Sequence, residues 1–217
     1  RSRMIIFNKR KLNAEDFATY QSLADPKLKG LLCSIPGGHI YNLTLVAALV
    51  AHEGEAKTEE WAKGVAGNLA RSPRGGDTDQ IKSVASGECA VAVSNSYYLA
   101  RLMGSEKVEE RNMTKRLGVV WPNQGGTGAH INVSGGGLVK TAKNRQAAVR
   151  FLEYLASDDA QRYFAEGNNE WPVVAGVKFN NEELNELGTF KADQTPLASI
   201  ARQLAVAQKL LDRAGYR

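Results

Sequence analysis

Cysteine, histidine and long apolar runs are scarce in this chain, and each scarcity removes a class of function. Two cysteines, Cys33 and Cys89, permit one disulfide at most. Three scattered histidines (His39, His52 and His130) and two cysteines form no His-x-x-x-His or Cys-x-x-Cys spacing, so no conventional zinc site is written here. No apolar run approaches the ~20 residues of a membrane span, and no direct span is expected. A Gly-x-Ser-x-Gly elbow and a Gly-x-Gly-x-x-Gly after a strand are both missing. The Arg74–Asp79 loop lacks the Gly-Lys-Ser/Thr ending of a phosphate loop. The formal net charge is only +5, with Lys and Arg spread among acids, and no basic stripe with interleaved aromatics points to nucleic acid. The acidic pairs Glu109-Glu110 and Asp158-Asp159 read as solvated helix faces. No catalytic residue is assigned, and an enzyme is not expected.

Two stretches of similar design carry the chemistry that is present. In the first, Leu31–Cys33 reads as a strand, Pro36-Gly37-Gly38 as a turn, and Tyr41 as a residue at the start of an aliphatic helix. In the second, Cys89–Val93 reads as a buried strand, Ser94, Asn95 and Ser96 as helix caps, and Tyr97-Tyr98 as the first turn of the next helix. Helix starts at the carboxyl ends of strands are where open α/β sheets place their ligands. The free N–H groups and the helix dipole there favour negative charge. Each cysteine precedes its tyrosine by eight residues. Neighbouring strands would therefore bring the tyrosines to one rim. On the pair alone, ordinary packing of one tyrosine inside and one outside is the favoured reading, and the position at a strand–helix switch with a second such stretch upstream is what shifts it.

These residues resemble the tyrosine-rich subgroup of periplasmic ferric-ion-binding proteins of bacterial ABC importers. The similarity is carried by Ile40-Tyr41-Asn42, Gly76–Lys82, Asn95–Leu99, Trp121–Gln124, His130–Gly135 and Gly167–Val173. It implies a type II periplasmic-binding-protein fold of the α/β class, with one complete lobe plus the C-terminal part of the other. It implies ferric ion, Fe(3+), held by the phenolates of Tyr41, Tyr97 and Tyr98; His39, Asn95 and Arg101, close to them in sequence, are candidates for supporting neighbours rather than ligands. Delivery to an inner-membrane ABC permease and a periplasmic location follow from the same resemblance. So does a Cys33–Cys89 bridge, where buried free thiols are the other reading. Family members are exported with a signal peptide, which is not visible here, and the opening part of the first lobe is expected ahead of Arg1. An incomplete first lobe is also expected to bare an apolar patch and to favour dimerisation or poor solubility. The alternative is a binding protein of the same fold for an oxyanion or small organic acid, served by the helix N–H groups. An enzyme using tyrosine as a general acid ranks below both.

The expected organisation follows. Residues 1–7 and 125–134 are hinge strands, the first centred on Arg3–Asn8 and the second on His130–Ser134. Residues 8–124 form the second lobe with the tyrosines, and 135–217 the mainly helical remainder of the first. Helices are expected at Asn13–Tyr20, Leu43–His52, Thr58–Asn68, Asp79–Ser86, Arg145–Ala156 and Asp158–Glu166, and as one long element over Leu197–Arg213. Asp77 or Thr78 is expected to cap the fourth of these. Ser105–Lys115 reads as a charged exposed stretch and Leu117–Trp121 as a strand. His52 is expected on the surface, His130 in a structural hydrogen bond, and Tyr20, Tyr154, Tyr163 and Tyr216 in helix packing or on the surface.

Overall fold

A computed structural model describes residues 1–217. Its centre is β1 (Arg3–Asn8), a strand buried along its whole length. Successive side chains of a strand point to opposite faces, so the unbroken apolar run Met4–Phe7 must be covered on both. Ile5 and Phe7 enter one apolar core, and Met4 and Ile6 enter another. β1 pairs antiparallel with β3 (Val91–Asn95) on one side and with β4 (Leu117–Val120) on the other. The short β2 (Leu32–Cys33) lies parallel to β3, giving the order β2-β3-β1-β4.

The first core lies under α1 (Ile40–Glu53) and α2 (Glu55–Gly67), with Leu45, Leu49, Trp61 and Val65 facing the sheet. The second lies under α3 (Asp77–Ser86) and α4 (Ser96–Met103), through Ile81, Val84, Leu99 and Leu102. Gly76 caps α3, and the Asp79 carboxylate accepts the Gly76 N–H at 2.8 Å. Asp77, expected as a cap, is instead the first helical residue and turns its carboxylate into the core. The stretch expected to be merely exposed contains α5 (Val108–Thr114), which buries no residue and opens with Glu109 and Glu110 at the positive end of its dipole. The helix expected from Asn13 is divided into 3-10 turns at Ala14–Phe17 and Tyr20–Ala24.

The second expected hinge strand is not a strand. Residues 129–132 make only isolated bridges, Ser2 with Ile131 and Ala129 with Ala192. Gly135-Gly136-Gly137 follows directly, and glycines without side chains to pack do not extend a ladder. The crossing is fastened by Arg3 N–H to the His130 carbonyl at 2.9 Å and Asn132 N–H to the Arg1 carbonyl at 3.0 Å.

Beyond the crossing come α6 (Arg145–Leu155), α7 (Asp158–Asn168), α8 (Glu182–Glu186), α9 (Leu197–Arg202) and α10 (Leu204–Arg213). The expected single C-terminal helix is broken at Gln203, which lets Ile200 on one piece and Ala207 and Leu211 on the other face the same core. The last part of the expected first-lobe remainder packs differently from that expectation. Ile200, Ala207, Leu211 and Tyr216 belong to the core under α1, and Leu184 and Leu187 to the core under α3. Their apolar stripes are drawn to the nearest large apolar face, which is the sheet domain. By contrast α6 buries no residue, and Phe151, Tyr154 and Tyr163 are exposed.

Candidate metal centre

The parallel pairing of β2 with β3 sets the site. Leu32 lies opposite Val91 and Cys33 opposite Ala92, so both strands leave the sheet at the same edge and feed helices side by side. Cys33 and Cys89 are joined as a buried disulfide with 5.8 Å between their Cα atoms, inside the range that a bridge spans without backbone movement.

After the Pro36-Gly37-Gly38 turn, His39 caps α1, its Nδ1 accepting the Tyr41 N–H at 3.2 Å. The helix therefore begins earlier than expected, at Ile40, and Tyr41 stands in its first turn. Asn95 caps α4, placing Tyr97 and Tyr98 in that helix's first turn. The two starts meet: Tyr41 Oη and Tyr97 Oη are 3.0 Å apart. The rings of Tyr97 and Tyr98 lie 4.1 Å apart between centroids, inclined by 32°. The structure thus brings together all three tyrosines singled out in the sequence.

The metal-free phenols of Tyr97 and Tyr98 are held in their neutral form. Burial, then hydrogen bonding with Tyr41 and Tyr98, pushes the Tyr97 phenol far above its ordinary range. Burial chiefly raises Tyr98 as well, with Tyr41 close by adding to it. A cluster of neutral phenols with shared protons is what a hard cation can convert to phenolates, since a bound ion inverts the local proton preference.

Of the expected supporting neighbours, His39 sets its ring 4.4 Å from that of Tyr41 at an inclination of 60°, but its Nδ1 is engaged as the helix cap. The Arg101 guanidinium lies 5.9 Å from the centroids of both Tyr97 and Tyr98. Asn95 is fully buried, and neither polar atom of its side chain has a protein partner. The other histidines stand away from the tyrosines. His52, expected on the surface, pairs with Asp193 at 2.8 Å and meets Thr195 Oγ1 at 3.2 Å. His130 is buried, its ring meeting only Asn132. No group of three or more His, Cys, Asp or Glu side chains converges to hold a metal.

Four residues beside the site escaped the sequence reading. Arg1 lies 6.0 Å from the Tyr97 centroid and pairs with Glu170 at 2.9 Å, bringing the segment after α7 to the rim. Arg3 lies 5.8 Å from the Tyr41 centroid and pairs with Asp77 beneath the tyrosines at 2.8 Å. A charged residue opening an otherwise apolar strand, as Arg3 opens β1, was the available signal.

Comparison with other proteins identifies relatives of this chain. Residues 2–194 match the profile of the bacterial extracellular solute-binding proteins. The whole chain is 45% identical to iron uptake protein A1 of Synechocystis and 29% identical to the major ferric iron-binding protein of Neisseria meningitidis, covering 60% and 63% of those relatives. It thus spans about 60% of the length of the curated relatives it matches. Among solved structures, the Trichodesmium protein described as IdiA or FutA, in complex with iron and citrate, superposes with a TM-score of 0.94 at 45% identity. The superposition covers all of this chain and 68% of that one. A ferric binding protein from Campylobacter jejuni gives the same TM-score at 35% identity and the same coverage.

Proposed function

This chain belongs to the bacterial extracellular solute-binding proteins, and from that premise we propose that it binds ferric ion as transported cargo through Tyr41, Tyr97 and Tyr98. The observation that carries the reading is the 3.0 Å approach of the Tyr41 and Tyr97 hydroxyls with Tyr98 stacked alongside. Ferric ion is small, highly charged and hard, and phenolate oxygen is a hard anionic donor. Three phenolates balance the 3+ charge, and three protons leave as the ion enters. The positions of the ion that tyrosines leave open are free for water, an anion or donors from the remainder of a longer protein.

The relatives named for ferric iron binding and iron uptake support the same cargo. In the whole protein the role is that of the extracytoplasmic, periplasmic component of an ABC importer, which delivers the ion to an inner-membrane permease. No catalytic step is part of it. The lobe carrying the site consists of residues 8–124, with the helices of 184–216 packed on it. Residues 1–7 and 125–134 are the crossings to a second lobe containing α6 and α7. Lobes joined in this way close over a ligand by hinge motion.

The oxyanion alternative meets an obstacle at α4. The N–H of Ser96, the first helical residue, already donates to the Ser2 carbonyl at 3.0 Å and is not free for an anion.

Titrating the purified chain with a ferric chelate and recording visible spectra tests the reading. A phenolate-to-iron charge-transfer band is expected, saturating at one ion per chain. Tyr41→Phe, Tyr97→Phe and Tyr98→Phe should each weaken or shift it. A chain that stays colourless and metal-free under these conditions overturns the three-phenolate site.

A further inference from the structure

The tyrosines rest on a buried ion pair to which ferric ligation gives no role. The side chains of Arg3 and Asp77 are 1% and 0% exposed, and Arg3 Nη1 meets Asp77 Oδ2 at 2.8 Å. Removing both charges from water is costly, and pairs of this kind are often no more stabilising than apolar residues of the same volume. Arg3 Nε and Asp77 Oδ1 have no protein partner, which adds to the cost. The pair calls for an explanation other than stability.

Its hydrogen bonds supply one. The Asp77 oxygen that meets Arg3 also accepts the Asn95 N–H at 2.7 Å, and Asn95 is the residue from which α4 starts. Arg3 Nη2 donates to Asn42 Oδ1 at 3.3 Å and to the Val93 carbonyl at 3.4 Å. Asn42 follows Tyr41 in α1, and its Nδ2 donates to the carbonyls of Ile35 and Pro36 at 3.0 and 3.1 Å, the turn that delivers the chain into α1. Both helix starts that carry tyrosines are therefore tied to one carboxylate–guanidinium pair. The guanidinium fork reaches two elements at once, which a point-charge ammonium does not do.

We propose that Arg3 and Asp77 are positioning residues of the tyrosine site, holding the starts of α1 and α4 in the register that brings three phenols to one ion. The proposal rests on the ferric reading of the tyrosines and adds the device that aligns them. Asp77 also neutralises a cation that lies one ring away from the place where another cation binds. Loss of the carboxylate alone leaves that charge unpaired beside Tyr41.

The test uses Asp77→Asn, Arg3→Lys, and the neutral double variant of Arg3→Gln with Asp77→Asn, which removes both buried charges. Glu88→Gln is the control, since Glu88 pairs with Arg71 and Arg74 on the surface. Ferric titration should show half-saturation weakened about ten- to a hundredfold in the three test variants, the scale found for partners of metal ligands, with a displaced charge-transfer band. The control should match the parent.

A second readout needs no metal. With tyrosine labelled by carbon-13 at Cζ, the resonances of Tyr41, Tyr97 and Tyr98 should move in the variants, while those of exposed Tyr154 and Tyr163 stay. Folded variants that keep the parent's half-saturation, band and tyrosine resonances overturn the proposal. If the parent itself shows no band, the ferric reading fails, and the resonances alone decide whether the pair positions the tyrosines.

Discussion

Tyr20 shows how one hydroxyl fastens the chain crossing. Its Oη donates to the Arg3 carbonyl at 2.5 Å and accepts the His130 N–H at 3.0 Å, with the whole side chain buried. Tyr20→Phe keeps the ring but leaves a buried donor and acceptor unpaired, so a destabilisation of about 1–3 kcal/mol is expected. Urea unfolding should show a lower midpoint with an unchanged slope, because the exposed surface on unfolding is the same. Tyr20 has the composition of ordinary core packing, and nothing in its neighbours in sequence announces the two long-range bonds. The helix-start positions of Tyr41, Tyr97 and Tyr98 were legible because their signal is local: a strand, a cap and a helix start read within a dozen residues. Arg3 and Asp77 were not, because each makes its contact more than seventy residues away. Asp77 also sits where a cap is the simplest local reading.

At the scale of elements, the disulfide and the two helix starts separate stability from function. Cys33 and Cys89 are 56 residues apart in sequence and close a loop containing α1, α2 and α3. On the chain-entropy account a loop of that length stabilises the fold by about 4 kcal/mol. Reduction, or Cys33→Ala with Cys89→Ala, should lower the urea midpoint accordingly. The charge-transfer band at saturating iron should persist, because the tyrosines are presented by helix starts and not by the bridge. Loss of the band on reduction while the chain stays folded would place the bridge among the parts that hold the site. Strand and helix existence followed from apolar period and cap chemistry, and β1, β3, α3 and α7 stand close to where that reasoning puts them. Two elements departed from it for tertiary reasons. The pattern over Leu197–Arg213 is helical throughout, yet the break at Gln203 is needed for both pieces to face α1. The alternation over His130–Ser134 is strand-like, yet it has one bridge's length of partner.

For the whole molecule, acid is the condition that tests how the crossing segments hold together. Burial, aided by the positive charge of Arg3, pulls the His130 imidazole down to about 4 from an ordinary value of 6.5, so the folded chain keeps it neutral. The unfolded chain protonates it near 6.5. Between those values the unfolded state binds more protons, and stability falls as pH falls, by roughly 3 kcal/mol across the window. Asp193, despite burial, is held below the ordinary carboxylate value by hydrogen bonds from His52 and Thr195. Its contribution is present above that value and is lost at still lower pH. Metal-free chain should therefore lose most of this increment between pH 6.5 and 4, and His130→Asn should flatten that part of the profile. Urea midpoints measured at half-unit intervals of pH give the comparison. Parallel curves for parent and variant would move the acid sensitivity from His130 to the carboxylates. The packing of the C-terminal helices was the least legible feature at this scale, since an amphipathic stripe such as that of α10 declares that it will be covered but not by what. His130 is the residue at which that question becomes measurable. It lies where the chain crosses from β4 toward α6, and its neutrality depends on the burial that this crossing provides.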